Sequence, residues 1–77
     1  MLRRLRIMGE KIKDIGKIHL GTTSLAVELN HGTRQNEKYE IHIQNDKVRL
    51  ALSEKDFLQM ASAIVLAKKQ LDIIKRK

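Results

Sequence analysis

The stretch Tyr39–Phe57, YEIHIQNDKVRLALSEKDF, constrains the fold more than any other part of the chain. A two-residue hairpin turn at Asn45-Asp46 sets Ile43 opposite Val48, Ile41 opposite Leu50 and Tyr39 opposite Leu52. All three pairs then share one face, while Gln44/Lys47 and His42/Arg49 share the other. A slip of one residue would set apolar against polar in every pair, so the pattern specifies the register. Asn and Asp both tolerate the positive φ that tight hairpin turns demand. The second strand runs directly into a helix start. Ser53 is the N-cap and Asp56 the third helical residue, the spacing of a capping box. Leu52 before the cap and Phe57 in the fourth helical position have the spacing of a hydrophobic staple. Glu54 and Asp56 suit the positive end of the helix, and Lys75, Arg76 and Lys77 its negative end.

Upstream, Ile18 and Leu20, then Leu25, Val27 and Leu29, alternate in the strand manner, with Gly21-Thr22-Thr23 as the turn between them. The polar run His31–Lys38, HGTRQNEK, is the one long loop and the expected mobile segment. Met1–Ile15 reads as a basic amphipathic helix with the seam Met1, Leu5, Met8, Ile12 and Ile15, ended by Gly16. Against it stands Gly9, which costs about 1 kcal/mol in a helix interior. The alternative there is a short strand around Leu5–Ile7 with a basic tail. The expected architecture is α+β in one domain: an N-terminal helix or arm over 1–15, a four-stranded antiparallel meander over 17–52 and a capped helix over 53–77. Ile18, Leu20, Leu25, Val27, Leu29, Tyr39, Ile41, Ile43, Val48, Leu50 and Leu52 would form its apolar face.

A chain of 77 residues buries only about 60% of its unfolded surface. Small domains compensate with disulfides, metals or oligomerisation. Cysteine is absent, which removes disulfides and thiolate zinc sites, so a homodimer is expected. The seam Phe57, Met60, Ile64, Ala67, Leu71 and Ile74 is expected to cover the sheet. Leu58, Val65, Leu66 and Ile73 are left over, and a surplus of large aliphatics marks them as the dimer interface, with Leu66 and Ile73 foremost. No run approaches the roughly 20 apolar residues of a membrane span. The basic N-terminus is followed by no apolar segment of a secretory signal, and its seam has no Trp or Phe to anchor it on a membrane surface. A cytoplasmic location is expected.

The net charge is +7, and it is unevenly placed. Residues 1–20 carry six basic and two acidic side chains, residues 21–53 four of each, and residues 54–77 six and three. Such a balance points to an anionic partner, and nucleic acid is the commonest. Candidate phosphate contacts are Arg3, Arg4, Arg6, Lys11 and Lys13 in the N-terminal segment, Arg34 and Lys38 in the long loop, and Lys47 and Arg49 on the outer face of the sheet. Both Tyr39 and Phe57 are assigned to the core, so no platform is left for stacking bases. Binding would rest on phosphates and weaken with salt. Catalysis has little to work with: there is no Cys, no phosphate loop and no dinucleotide fingerprint. His19 and His42 are expected about 10 Å apart on the outer face, too far for one ion. No catalytic residue, metal, cofactor or small-molecule substrate is therefore expected.

The segment Val48–Ala63, VRLALSEKDFLQMASA, resembles the last strand and helix of the positive-cofactor-four-type transcriptional coactivators, through Leu-Ser, an acidic first turn and an aromatic residue. The resemblance implies a homodimer joined through its C-terminal helices that binds single-stranded DNA across its sheets in transcription regulation. The chain differs from that pattern in its short turn before the last strand and in Glu28 and Glu40 on the binding face. Two functions follow: a basic homodimeric module binding single-stranded DNA or RNA through phosphates, or a non-catalytic oligomerisation or protein-interaction module.

Overall fold

A computed structural model of the chain describes residues 10–76. Four strands precede one helix: β1 (Lys11–Leu20), β2 (Thr23–His31), β3 (Tyr39–Gln44), β4 (Arg49–Ser53) and α1 (Glu54–Lys75). The strands lie in chain order and every neighbouring pair is antiparallel. The class is α+β, a meander followed by a C-terminal helix.

Strand β1 corrects the expected N-terminal helix where the two overlap. Met1–Gly9 lie outside the described residues, but Lys11–Ile15 are strand, and Gly16 continues it rather than ending anything. The pairing with β2 shifts register between Lys11 and Lys13 and again between Asp14 and Gly16. Each bulge inserts one residue and resets the alternation. The spacing of Ile12, Ile15 and Ile18, which has a helical period, thus belongs to a twice-bulged strand. The next turn needs glycine. Gly21 has φ 60°, and no other described residue has a positive φ. Gly21-Thr22 is therefore a two-residue hairpin turn with glycine first, between the paired Leu20 and Thr23.

The β3–β4 register also differs from expectation. Ile43 pairs with Leu50 and Ile41 with Leu52, and Val48 falls in the turn, exposed. The cause is the Asn45 side chain. Its Oδ1 accepts from the backbone N–H of Lys47 (2.8 Å) and of Val48 (2.9 Å), and its own N–H reaches Val48 O at 2.9 Å. Asn45 thus occupies the first turn position, and the turn centre moves to Asp46-Lys47. Asn45 Nδ2 also donates to Ser24 O (3.1 Å), tying the turn to β2. The displacement spans an even number of residues in the pairing, so the expected faces survive.

The core is small. Val27, Ile41 and Ile43 are buried, and Ile18, Leu25, Leu29, Leu52, Phe57 and Met60 pack around them. Leu20 and Leu50, expected in it, are exposed. At the helix start, Ser53 Oγ accepts from Asp56 N–H at 3.0 Å, as the capping pattern requires. Beyond that start the seam fails to cover the sheet. Helix α1 touches only β3 and β4, no residue of it is fully buried, and Ile64, Leu71 and Ile74 are exposed. The helix has 22 residues, about 33 Å, and its second half runs past the sheet.

Candidate functional site

Two surfaces carry the features that function can use: the polar face of the sheet and the outer length of α1. Alternation places Glu28 and Asn30 of β2, Glu40, His42 and Gln44 of β3, and Arg49 of β4 on the face opposite the core. His42 was expected there as a solvated residue. It is on that face but only 2% exposed, as is Asn30. His42 lies in register between Glu28 and Ala51 on the neighbouring strands. Arg49 Nη2 donates to its Nδ1 at 3.3 Å. Guanidinium only donates, so Nδ1 is the accepting nitrogen and Nε2–H donates to Glu40 Oε1 at 2.7 Å. Thr33 Oγ donates to the other Glu40 oxygen at 3.0 Å. Gln44 Nε2 donates to Glu28 Oε1 at 3.0 Å, and Asn30 Nδ2 to Glu28 O at 3.1 Å. Among the described residues no buried side-chain nitrogen or oxygen lacks a partner. This face is a satisfied polar network that rigidifies the sheet.

Burial pushes the Glu40 carboxyl up, but the hydrogen bonds from His42 and Thr33 and the electrostatic pull of the imidazole and of the Arg49 guanidinium outweigh it, and its pKa lies below the ordinary 4.5. A depressed carboxylate pKa contributes stability that is present above the unfolded value and lost as pH falls through the folded one. Wild-type stability is therefore expected to drop on acidification below 4.5. Glu40→Gln should flatten that part of the curve, measured by urea unfolding at a series of pH values. An unchanged acid slope would contradict the role of Glu40.

The basic residues expected to bind nucleic acid are dispersed. Arg3, Arg4 and Arg6 lie outside the described residues. Lys11 pairs with Asp14 (2.8 Å) and Glu28 (3.8 Å), and the hydrogen bond to Asp14 heads the causes that raise its pKa. Arg49 is engaged by His42. Arg34 reaches Glu37 at 3.9 Å, and Lys38 lies over the Tyr39 ring at 5.4 Å. Lys13 is exposed in β1. Lys47 sits in the β3–β4 turn rather than on the outer face, at the opposite end of the sheet from the β2–β3 loop that carries Arg34 and Lys38. An open groove of about 850 Å³ lies between that loop and the first turns of α1; Arg34, Lys38 and Lys55 line it together with Glu37 and Glu54. Its charge is mixed. The loop is closed by Gly32 N–H donating to Lys38 O at 3.0 Å.

Helix α1 carries the other surface. Leu58, Val65, Leu66 and Ile73 are 56%, 53%, 60% and 45% exposed. Exposed Ile64, Leu71 and Ile74 continue the Phe57/Met60 seam beyond the sheet. The four-residue set was legible from the sequence, while the overhanging seam was not: periodicity gives the face of a helix but not where the sheet beneath it ends. Histidines form no cluster, since His19 pairs with Ser24 and His42 with Glu28, on separate rungs of β2. Among the described residues no group of three or more His, Cys, Asp or Glu is placed to hold a metal, and no helix is long and apolar enough to cross a membrane. Comparison with known proteins gives no matching family model, no matching curated protein and no matching solved structure.

Proposed function

We propose that this chain is a small, non-catalytic, cytoplasmic homodimeric module whose helix α1 joins two copies. The observation that carries this reading is the exposure of seven large aliphatics along α1, Leu58, Ile64, Val65, Leu66, Leu71, Ile73 and Ile74. That many exposed large aliphatics on one helix are costly to leave in water, and burial against a second copy is the usual remedy in a domain with so small a core.

A second reading has its own observation. The net charge of +7, together with the resemblance of Val48–Ala63 to the coactivators, favours a dimer that binds single-stranded nucleic acid through phosphates. The dispersal of the cations and the acidic Glu28 and Glu40 on the polar face make such binding weak in sequence preference. Salt separates the two readings. Each phosphate contact releases a counterion, so nucleic-acid affinity falls as salt rises. Association of two copies that each carry +7 strengthens as salt screens their repulsion. Fluorescence anisotropy with a labelled single strand and the matching duplex, at low and at physiological salt, tests the second reading. Binding that favours the single strand and weakens steeply with salt supports it. No binding at low salt removes it.

A further inference from the structure

Among the described residues, His42 is the one ionisable side chain buried in the fold, and both of its ring nitrogens are bonded. The two bonds differ in kind. Nε2–H donates to Glu40 Oε1 at 2.7 Å, whereas Nδ1 accepts from Arg49 Nη2 at 3.3 Å. Such an arrangement requires a neutral ring. A second proton can enter only at Nδ1, and there it meets a guanidinium, which donates and has nothing to accept with. Protonation therefore turns the Arg49 contact from a hydrogen bond into two opposed donors, both positively charged. The Glu40 contact becomes a charge-assisted bond between imidazolium and carboxylate and gains strength.

The groups around the ring decide which side gives way. On β3, Glu40 and Gln44 flank His42 on the same face, and on β2 Glu28 lies opposite it. Strand β1 brings Lys11, Asp14 and Lys17 to this face, and Lys11 is drawn to Asp14 and Glu28. Thr33 of the β2–β3 loop donates to Glu40. Arg49 is the one charged residue of β4, and α1 packs against the opposite, apolar face. Two carboxylates, Glu28 and Glu40, thus border the ring, each with its side chain only 14% exposed. Glu40 is held below the ordinary 4.5, so it stays ionised through the range in which histidines take up protons. Both acids attract an imidazolium, and Arg49 repels it. Arg49 is exposed on the edge strand. Its side chain can turn into water without disturbing any strand pairing.

We infer that His42 and Arg49 form a proton-operated release: protonation of the buried ring at Nδ1 expels the Arg49 side chain from the polar face into solvent, and loss of that proton recaptures it. The outer face of the sheet then carries a guanidinium that is engaged when the ring is neutral and free when it is charged. This device is independent of both readings above.

Nuclear magnetic resonance of the full chain, titrated from about pH 8 to about pH 5, tests it. At the alkaline end His42 should be the Nε2–H tautomer, and nuclear Overhauser contacts should join its ring to the Arg49 side chain. As the ring gains its proton, those contacts should be lost. The Arg49 side-chain shifts should move to those of a solvated arginine with the same midpoint. His42→Gln keeps a donor and an acceptor but has no proton to gain, so its Arg49 shifts should stay constant across the range. Arg49 contacts that persist while the ring protonates would overturn the inference. So would the Nδ1–H tautomer at the alkaline end, or a ring that takes up no proton while the chain stays folded. The same Arg49 transition in His42→Gln would overturn it as well. The wild-type titration decides the matter by itself should that variant not fold.

Discussion

Leu66→Asp combined with Ile73→Asp is expected to yield a monomer at every concentration where the wild type is a dimer. Both side chains project from α1 into solvent within one chain, so the substitutions cost the isolated fold little beyond helix propensity. In a two-fold contact each residue occurs twice, and the double variant removes four aliphatic side chains from it. At roughly 1.5–3 kcal/mol per buried side chain, the loss is about 6–12 kcal/mol, comparable to the roughly 8 kcal/mol that holds a micromolar complex. Four carboxylates placed in the same contact add repulsion and desolvation. Sedimentation velocity with far-UV circular dichroism is the measurement. A folded monomer is the expected result. A variant that remains a dimer would show that α1 is not the joining element.

The second large effect lies in the core. Ile41 is 3% exposed at the centre of the sheet and packs in the only buried apolar cluster among the described residues. Ile41→Ala should cost about 2–5 kcal/mol. A chain this short has about 4–12 kcal/mol in total, so the variant is expected to be barely folded at room temperature. Leu20→Ala is the control, because Leu20 is 53% exposed and surface changes stay within about 0.5 kcal/mol. Urea unfolding at one fixed protein concentration measures both, since the proposed association of two copies would make stability concentration-dependent. Equal midpoints for the two variants would contradict the placement of the core.

Much of the fold was written locally. Ser53, Asp56, Leu52 and Phe57 marked the strand-to-helix junction because caps and staples act over a few residues, and the Ser53–Asp56 bond is formed. The two faces of β2, β3 and β4 were legible because the side-chain period of a strand is fixed. What escaped sequence reasoning depends on tertiary choices. Two bulges give β1 a spacing that one chain alone cannot distinguish from a helix. The side chain of Asn45 chose among turns that all keep the same faces. The burial of His42 on a polar face arises from cross-strand neighbours and from Glu40 and Arg49; a His between Glu40 and Gln44 on one strand face, with Arg49 opposite Gln44, is the local trace of it. For the candidate surface, Leu58, Val65, Leu66 and Ile73 stood out as surplus aliphatics. That Ile64, Leu71 and Ile74 join them in solvent becomes visible only once the helix is seen to overrun its own sheet.

Association through α1 is tested most directly by sedimentation equilibrium of the wild-type chain across the micromolar range, at low and at physiological salt. A mass of twice one chain, held to lower concentration as salt rises, is the expected result. A mass of one chain throughout, at both salts, would contradict it.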